Sequence, residues 1–93
     1  MIYATIHMTI TNKDSLMAYR EKAGAALEKH GGKVEAASTE PTALDASLPL
    51  PTMAGVLSFP DRDAALAWIN DPELADVHAL RRGAGESTIT LVG

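Results

Sequence analysis

The sequence predicts a small α+β domain with the element order β-α-β-β-α-β, built as one antiparallel sheet with helices on a single face. Three observations predict it: an alternating strand at the N-terminus, two segments with helical spacing of apolar residues, and two strand-helix-strand units in succession. A chain of 93 residues hides a smaller share of its surface than a longer one. We therefore expect one domain over residues 1–93, helped by pairing with a second copy.

The first strand and the first helix are the clearest predicted elements. Residues 2–10 alternate with a period of two, with Ile2, Ala4, Ile6, Met8 and Ile10 in one phase and Tyr3, Thr5, His7 and Thr9 in the other. Asn12 then has the side chain of a helix N-cap. Apolar residues at spacings of three and four predict a helix from about Lys13 to Lys29. Gly31 and Gly32 end this helix because glycine accepts the left-handed conformation of a C-terminal cap.

The middle of the chain is predicted to hold two short strands separated by a proline-rich stretch. The strands are expected over residues 33–38 and 53–59. Pro41, Pro49 and Pro51 lie between them, and proline offers no amide hydrogen to a β-ladder. At most a brief edge strand fits there, near residues 43–46.

The C-terminal third predicts a second helix in two segments and a final strand. Asp61 caps a helix that ends at residue 70, and Asp71-Pro72 restarts it because Asp caps helices and Pro suits their first position. The second segment runs to Gly83, and residues 87–92 form the last strand. Joined by right-handed crossovers, these units give a ferredoxin-like sheet with the helices on one face.

Such a sheet would have two unlike faces. The face beneath the helices is apolar. The other face mixes small, apolar and hydroxyl-bearing side chains, namely Tyr3, Thr5, His7, Thr9, Ala54, Val56, Ser58, Thr88 and Thr90. This mixed face is too apolar for water, so a second copy laid against it would complete a dimeric α/β barrel. A partly polar cavity between sheet and helices is then the place to look for function.

Composition argues against several classes of function. The chain has no cysteine for a disulfide or a thiolate metal site, and its three histidines lack the spacing of metal ligands. The formal net charge is −4 and no basic stripe is present, so a nucleic-acid partner is not expected. Neither a signal peptide nor a membrane-spanning run is visible. We expect a cytoplasmic protein with no cofactor and no metal.

Three residues of the mixed face are candidates for a site. His7 is a titratable group on a central strand and is expected near Ser58 and the threonines. It could act as a general base or anchor a ligand, with Thr5 and Ser58 as further ligand contacts. Alternatively, His7 donates a hydrogen bond to a neighbouring threonine at the dimer contact.

Basic residues of the second helix are another candidate. His78 with Arg81 or Arg82 on successive turns could form an edge that attracts anions, although such a cluster is more often a solvated helix face. Arg81 is the second choice for a ligand contact, with Tyr19 supplying a phenol. Two other residues are interpreted as structural: His30 satisfies the last carbonyl groups of its helix, and Trp68 packs.

Several short segments of the chain match one known family. They are residues 2–10, Tyr19-Arg20, His30-Gly31-Gly32, Phe59-Pro60, Trp68, Asn70-Asp71-Pro72-Glu73 and Arg81. On these segments the chain resembles domain-of-unknown-function family 1330, of the dimeric α/β-barrel superfamily. The resemblance implies a ferredoxin-like fold, a homodimer and a family arginine at Arg81. The chain departs from the family at Val34 and Leu74, where Tyr is common, and at Ala37, Met53 and Ser58, where Arg or Glu is common.

Two functions are open from the sequence, because related barrels include monooxygenases, haem proteins and stress-responsive proteins. The first is a dimeric protein that binds a small hydrophobic or aromatic metabolite in a cleft between sheet and helices, including a cofactor-independent enzyme. The second is a non-enzymatic stress-response or assembly module whose dimer interface is filled. His7 on the mixed face favours the first, and the loss of larger polar residues at Met53 and Ser58 favours the second.

Overall fold

One antiparallel sheet, with helices packed on one side of it, makes up the computed structural model of residues 1–93. In chain order the elements are β1 (Ile2–Ile10), α1 (Lys13–Glu28), β2 (Lys33–Ser38), β3 (Met53–Phe59), α2 (Arg62–Asn70), α3 (Ala75–Gly83) and β4 (Gly85–Val92), with a 3-10 turn at Pro72–Leu74. The strand order is β2-β3-β1-β4, and every neighbouring pair is antiparallel. The predicted ferredoxin-like fold is confirmed. No helix combines the length and apolarity that crossing a membrane would require.

The predicted elements are confirmed with small shifts at their ends, apart from one. β4 begins at Gly85, earlier than expected, and α1 ends at Glu28. The prediction of a brief edge strand near residues 43–46 is wrong, because residues 39–52 form no strand. Prolines interrupt any regular ladder there. The end of this loop is instead fastened by Thr52, whose hydroxyl accepts from the amide of Ile10 at 2.8 Å and donates to the carbonyl of Met8 at 3.1 Å.

The core lies between the sheet and the helices. Its buried apolar members are Ala4, Leu57 and Phe59 from the strands and Ala26, Leu27, Ala65, Trp68 and Leu74 from the helical side. The rings of Phe59 and Trp68 lie 5.5 Å apart between centroids. Alternate residues of β1 point the other way, so Tyr3 and His7 are exposed. The molecule is accordingly a two-layer slab of 32 × 30 × 17 Å whose mixed face is not covered by a helix.

The end of α1 is fixed to the turn that follows α2. Gly31 has a φ of +73°, as the predicted glycine stop requires, and the amide of Gly32 donates to the carbonyl of Leu27 at 2.8 Å. The prediction for the His30 side chain is wrong, since its Nε2 lies 2.8 Å from Oδ2 of Asp71 instead of at the last helix carbonyls. Local capping rules could not find this partner, which lies 41 residues away along the chain.

Asp71 should make the fold sensitive to acid. The Lys29 ammonium, 2.7 Å away, holds the pKa of the Asp71 carboxyl well below its usual range, with help from His30 and the Glu73 amide. A lowered folded-state pKa means that the ionised carboxylate stabilises the fold above the ordinary pKa of about 3.9, and that this stabilisation is lost as the pH falls further. We expect Asp71→Asn to be less stable than wild type at neutral pH.

Urea unfolding followed between roughly pH 2 and pH 7 tests this expectation. The gap between Asp71→Asn and wild type should narrow as the pH drops below about 4. Asp45→Asn, in the exposed loop, removes the same charge and should follow the wild-type curve. A gap that is constant across the whole pH range would contradict the role given to Asp71.

Candidate functional site

A cavity of about 500 Å³ lies under α2 and α3 and over β4. Ligand pockets in proteins commonly measure roughly 300–1,000 Å³ and are mainly apolar. The walls here are mostly apolar, and the polar side chains among them are Arg81, Arg82 and Ser87. No carboxylate borders the cavity. It therefore has the size and lining of a site for a small, largely apolar molecule.

Arg81, in the wall of this cavity, is paired with the buried His78, which does not itself line it. Arg81 and His78 are only 3% and 2% exposed, and Nη1 of Arg81 lies 2.6 Å from Nδ1 of His78. Nε2 of His78 lies 3.0 Å from the carbonyl oxygen of Trp68. Because arginine can only donate, we assign Nδ1 as the acceptor and Nε2 as the N–H that donates to Trp68. His78 is thus a neutral imidazole, and burial, with the nearby arginine charges, lowers its pKa below the ordinary value.

Packing between helices explains why these polar side chains are buried. His78 and Arg81 are three residues apart on α3 and so share one of its faces. The Ser15 hydroxyl of α1 donates to the carbonyl of Leu80 at 2.8 Å and ties the two helices together. The interpretation of the cluster as a solvated helix face is therefore wrong. Arg81 makes the bond to His78, whereas Arg82 is exposed.

Arg81 has no acidic partner. Its guanidinium carbon lies 5.9 Å from the centre of the Tyr19 ring and 5.6 Å from that of Trp68, and none of the ion pairs in the structure includes it. A desolvated cation–π contact is worth about 2 kcal/mol. Burying an unpaired ion costs several kcal/mol. Nε of Arg81 and Nε1 of Trp68 are also buried without a hydrogen-bond acceptor. Each buried donor in this condition calls for an explanation, such as a bound ligand, an ion or a water molecule.

The candidates on β1 and β3 lie on the other face of the sheet. His7 stands opposite Ala54 and Thr88, whereas Ser58 stands opposite Tyr3. Four strand residues, or roughly 13 Å, therefore separate His7 from Ser58. The expectation that these two lie close together is wrong. The alternation of the sequence predicts which face they share, but the strand register sets the distance between them. Thr5 lies between Val56 and Thr90 at the middle of the face.

Ser58 has a partner that sequence reasoning missed. Its hydroxyl donates to Oε1 of Glu35 at 2.8 Å, and the residue is only 2% exposed. The pairing of β2 with β3 shifts between Val34 and Ala36, so Glu35 is an extra residue in the ladder. The hydrogen bond from the Ser58 hydroxyl is the largest cause of the lowered pKa of the Glu35 carboxyl, and the bond from Lys33 is the next largest. No feature of the sequence signals this bulge.

Two further cavities border the remaining candidates. His7 lines one of about 860 Å³ between the mixed face and the loop at residues 41–51. Tyr19 lines a smaller apolar one of about 330 Å³ beside β2 and β3. The structure thus brings Tyr19 to Arg81, joins them with Trp68 and His78, and leaves Thr5, His7 and Ser58 on the far face of the sheet. Trp68, interpreted from the sequence as a packing residue, also lines the cavity of about 500 Å³ under α2 and α3, which we call the main cavity.

A four-stranded antiparallel sheet in the order β2-β3-β1-β4 with helices on one face defines a ferredoxin-like α+β domain. Within this class, the chain belongs to the family described as a domain of unknown function, DUF1330, whose match covers residues 1–93. Among curated proteins none matches the chain.

Solved structures share the fold at low sequence identity. The chain is similar to a protein of unknown function from Rhodopseudomonas palustris, with 18% identity, a TM-score of 0.77, and coverage of 98% of this chain and 79% of that one. The methylated form of that protein also has 18% identity and a TM-score of 0.77, with coverage of 98% and 78%. A dimeric ferredoxin-like protein of unknown function from Jannaschia sp. CCS1 has 10% identity, a TM-score of 0.74, and coverage of 99% and 97%. At these identities the similarity shows the fold alone.

Proposed function

We propose that the protein is a homodimer that binds a small, largely apolar metabolite in the cavity between the sheet and α2 and α3. The observation that carries this proposal is the cavity of about 500 Å³ with apolar walls and a few convergent polar groups. The polar side chains of its lining are a hydroxyl at Ser87 and two guanidinium groups, without a carboxylate or an imidazole. Such a lining favours binding and orienting a ligand over acid-base catalysis.

The homodimer part of the proposal rests on the uncovered sheet face. Tyr3 and Val92 on this face are 46% and 56% exposed, and the centre of the face carries no charge. The neighbouring loop adds three more exposed apolar side chains, at Leu44, Leu48 and Leu50. Exposed apolar area of this extent marks an interaction surface. The Jannaschia protein with the same fold is described as dimeric, which supports a second copy of this chain as the partner.

A stress-response or assembly module without a ligand is the second candidate. One observation favours it: on the mixed face, the Ser58 hydroxyl is already bound to Glu35. A partner copy would then have no need to pair with the Ser58 hydroxyl, and the second cavity would be filled by the dimer contact. In this case the cavity beside Trp68 would stay empty in solution.

The single tryptophan of the chain allows a direct test. The indole Nε1–H of Trp68 gives one signal in a nitrogen-15 correlation spectrum, and the Trp68 side chain lines the cavity. A panel of small aromatic and aliphatic acids, amides and alcohols would be added in turn. We expect at least one chemical class to shift this signal and to stabilise the fold by about 1.4 kcal/mol at a tenfold excess over Kd.

Two substitutions on one helix provide the control. Ala65 is buried and lines the cavity, so Ala65→Met should fill the space and abolish binding. Ala67 is exposed on α2 and lies outside the cavity, so Ala67→Met should leave binding intact. If no class of compound moves the Trp68 signal, the binding function is wrong and the assembly module takes its place. Binding that is lost in His7→Ala but kept in Ala65→Met would show that the ligand binds on the other face of the sheet.

A further inference from the structure

The charge around the main cavity is opposite to that of the protein. The chain has a formal net charge of −4, yet two arginines and no acidic residue line this cavity. Lys29 and Lys33, by contrast, lie close to carboxylates. A cavity with low-dielectric walls and one sign of charge favours a ligand of the opposite sign.

Two residues of the cavity wall, Arg81 and Trp68, have a side-chain donor without an acceptor. Nε of Arg81 and Nε1 of Trp68 are buried without an acceptor, and both side chains are 3% exposed. His78 does not neutralise Arg81, because as a neutral imidazole it accepts only one hydrogen bond, from Nη1. An ionised carboxylate is an acceptor with two oxygens and pairs with arginine in a charge-assisted bond. The unpaired positive charge of Arg81 therefore fits the carboxylate of an organic acid.

The position of Arg81 in its helix limits the charge of the ligand. Arg81 and Arg82 lie in the last turn of α3, where the helix dipole is negative. That end of the helix stabilises the arginine but repels a second negative charge on a ligand. A buried Arg81 with apolar surroundings, at the negative end of its helix, suits a monoanion better than a phosphate dianion.

We propose that the guanidinium group of Arg81 binds the carboxylate of a small organic acid whose apolar part fills the cavity. This inference rests on the proposed binding function and adds the ligand class. Tyr19 and His78 hold the guanidinium in place, Tyr19 through its ring and His78 through Nδ1. Arg81 is the specificity-determining residue.

Pairs of probes that differ only in charge test the inference. Phenylacetate would be compared with phenylacetamide, and hexanoate with hexanamide, by calorimetry on the wild-type protein. We expect at least one acid to bind tenfold or more tightly than its amide, and to shift both the Arg81 Nε–H and the Trp68 Nε1–H signals. This comparison needs no variant, so it does not depend on the folding of a mutant.

Variants then assign the effect to Arg81. Arg81→Gln should bring the affinity ratio of acid to amide close to one, whereas Arg62→Gln removes the same charge from the exposed start of α2 and should keep the ratio.

The outcomes separate this inference from the proposed function. If amide and acid bind equally well at the Trp68 signal, the cavity binds ligands but the carboxylate assignment is wrong. If neither probe pair nor any compound of the wider panel moves that signal, both proposals fail. Tighter binding of phenyl phosphate than of phenylacetate would overturn the choice of a monoanion, and an unchanged ratio in Arg81→Gln would overturn the role of Arg81.

Discussion

Gly85→Ala should lower the free energy of unfolding by about 3 kcal/mol or more. Gly85 opens β4 with a φ of +148°, a conformation that residues with a Cβ rarely adopt. A Cβ built there would lie 2.0 Å from the carbonyl oxygen of Thr9 and 3.0 Å from the amide nitrogen of Thr11. Both are backbone atoms that cannot rotate away, so β4 would have to move relative to β1.

The surrounding hydrogen bonds would be lost with that movement. The carbonyl of Ala84 accepts from the amides of Thr11 and Asn12 at 2.8 Å and 3.0 Å, which joins the start of β4 to the turn between β1 and α1. Gly85 also borders the main cavity, so the substitution should weaken any ligand as well as the fold.

Chemical unfolding of Gly85→Ala beside Gly24→Ala measures the effect. Gly24 lies within α1 and a Cβ there would meet no atom within 4 Å. Alanine has the higher helix propensity, so Gly24→Ala should raise stability by about 0.5–1 kcal/mol. Opposite signs for the two substitutions are the expected result, and a loss at Gly85 below about 1 kcal/mol would show that β1 and β4 do not approach as described.

Val56→Glu should dissociate the proposed homodimer with a hundredfold or larger rise in Kd. Val56 stands opposite Thr5 on one side and Ala36 on the other, at the middle of the mixed face. Two copies packed face to face would enclose this position, where an unpaired charge costs about 3 kcal/mol or more. The same side chain in a monomer would remain in water, so the monomer should keep its fold.

Light scattering after size exclusion and sedimentation velocity would determine the assembly. Met17→Glu introduces the same charge on α1 at a residue that is 63% exposed, and it should leave the dimer intact. Circular dichroism would verify that Val56→Glu is folded. A wild-type protein that is monomeric at micromolar concentration, or a Val56→Glu protein that stays dimeric, would show that this face is not the interface.

Much of the fold was readable from the sequence because the determining interactions are local. The alternation from Ile2 to Ile10 predicted both the strand and its two faces. Asn12 and Asp61 were predicted as caps, and their side chains accept from the amides of Ser15 and Ala64 at 3.1 Å and 2.8 Å. A cap needs a partner only three residues away, so chain order alone specifies it.

The site was less readable because its residues meet through packing. Ser58 meets Glu35 only because a bulge shifts the pairing of β2 with β3. His7 and Ser58 share a face, as alternation predicted, but register sets the distance between them. Tyr19 and Arg81 were predicted to act together as ligand contacts, and the approach of α1 to α3 places the Arg81 guanidinium over the Tyr19 ring.

By itself, the sequence determined the order of elements, the strand faces and the helix ends, since each depends on periodicity and on capping within a few residues. Tertiary structure alone decided what the face of α3 with His78 and Arg81 meets. Helical spacing specifies that these side chains point the same way, but the packing of α3 against Tyr19 of α1 and Trp68 of α2 removes them from water. Burying the Arg81 charge costs free energy unless an acceptor pairs with it. That cost can be recognised only once the groups around Arg81 are known.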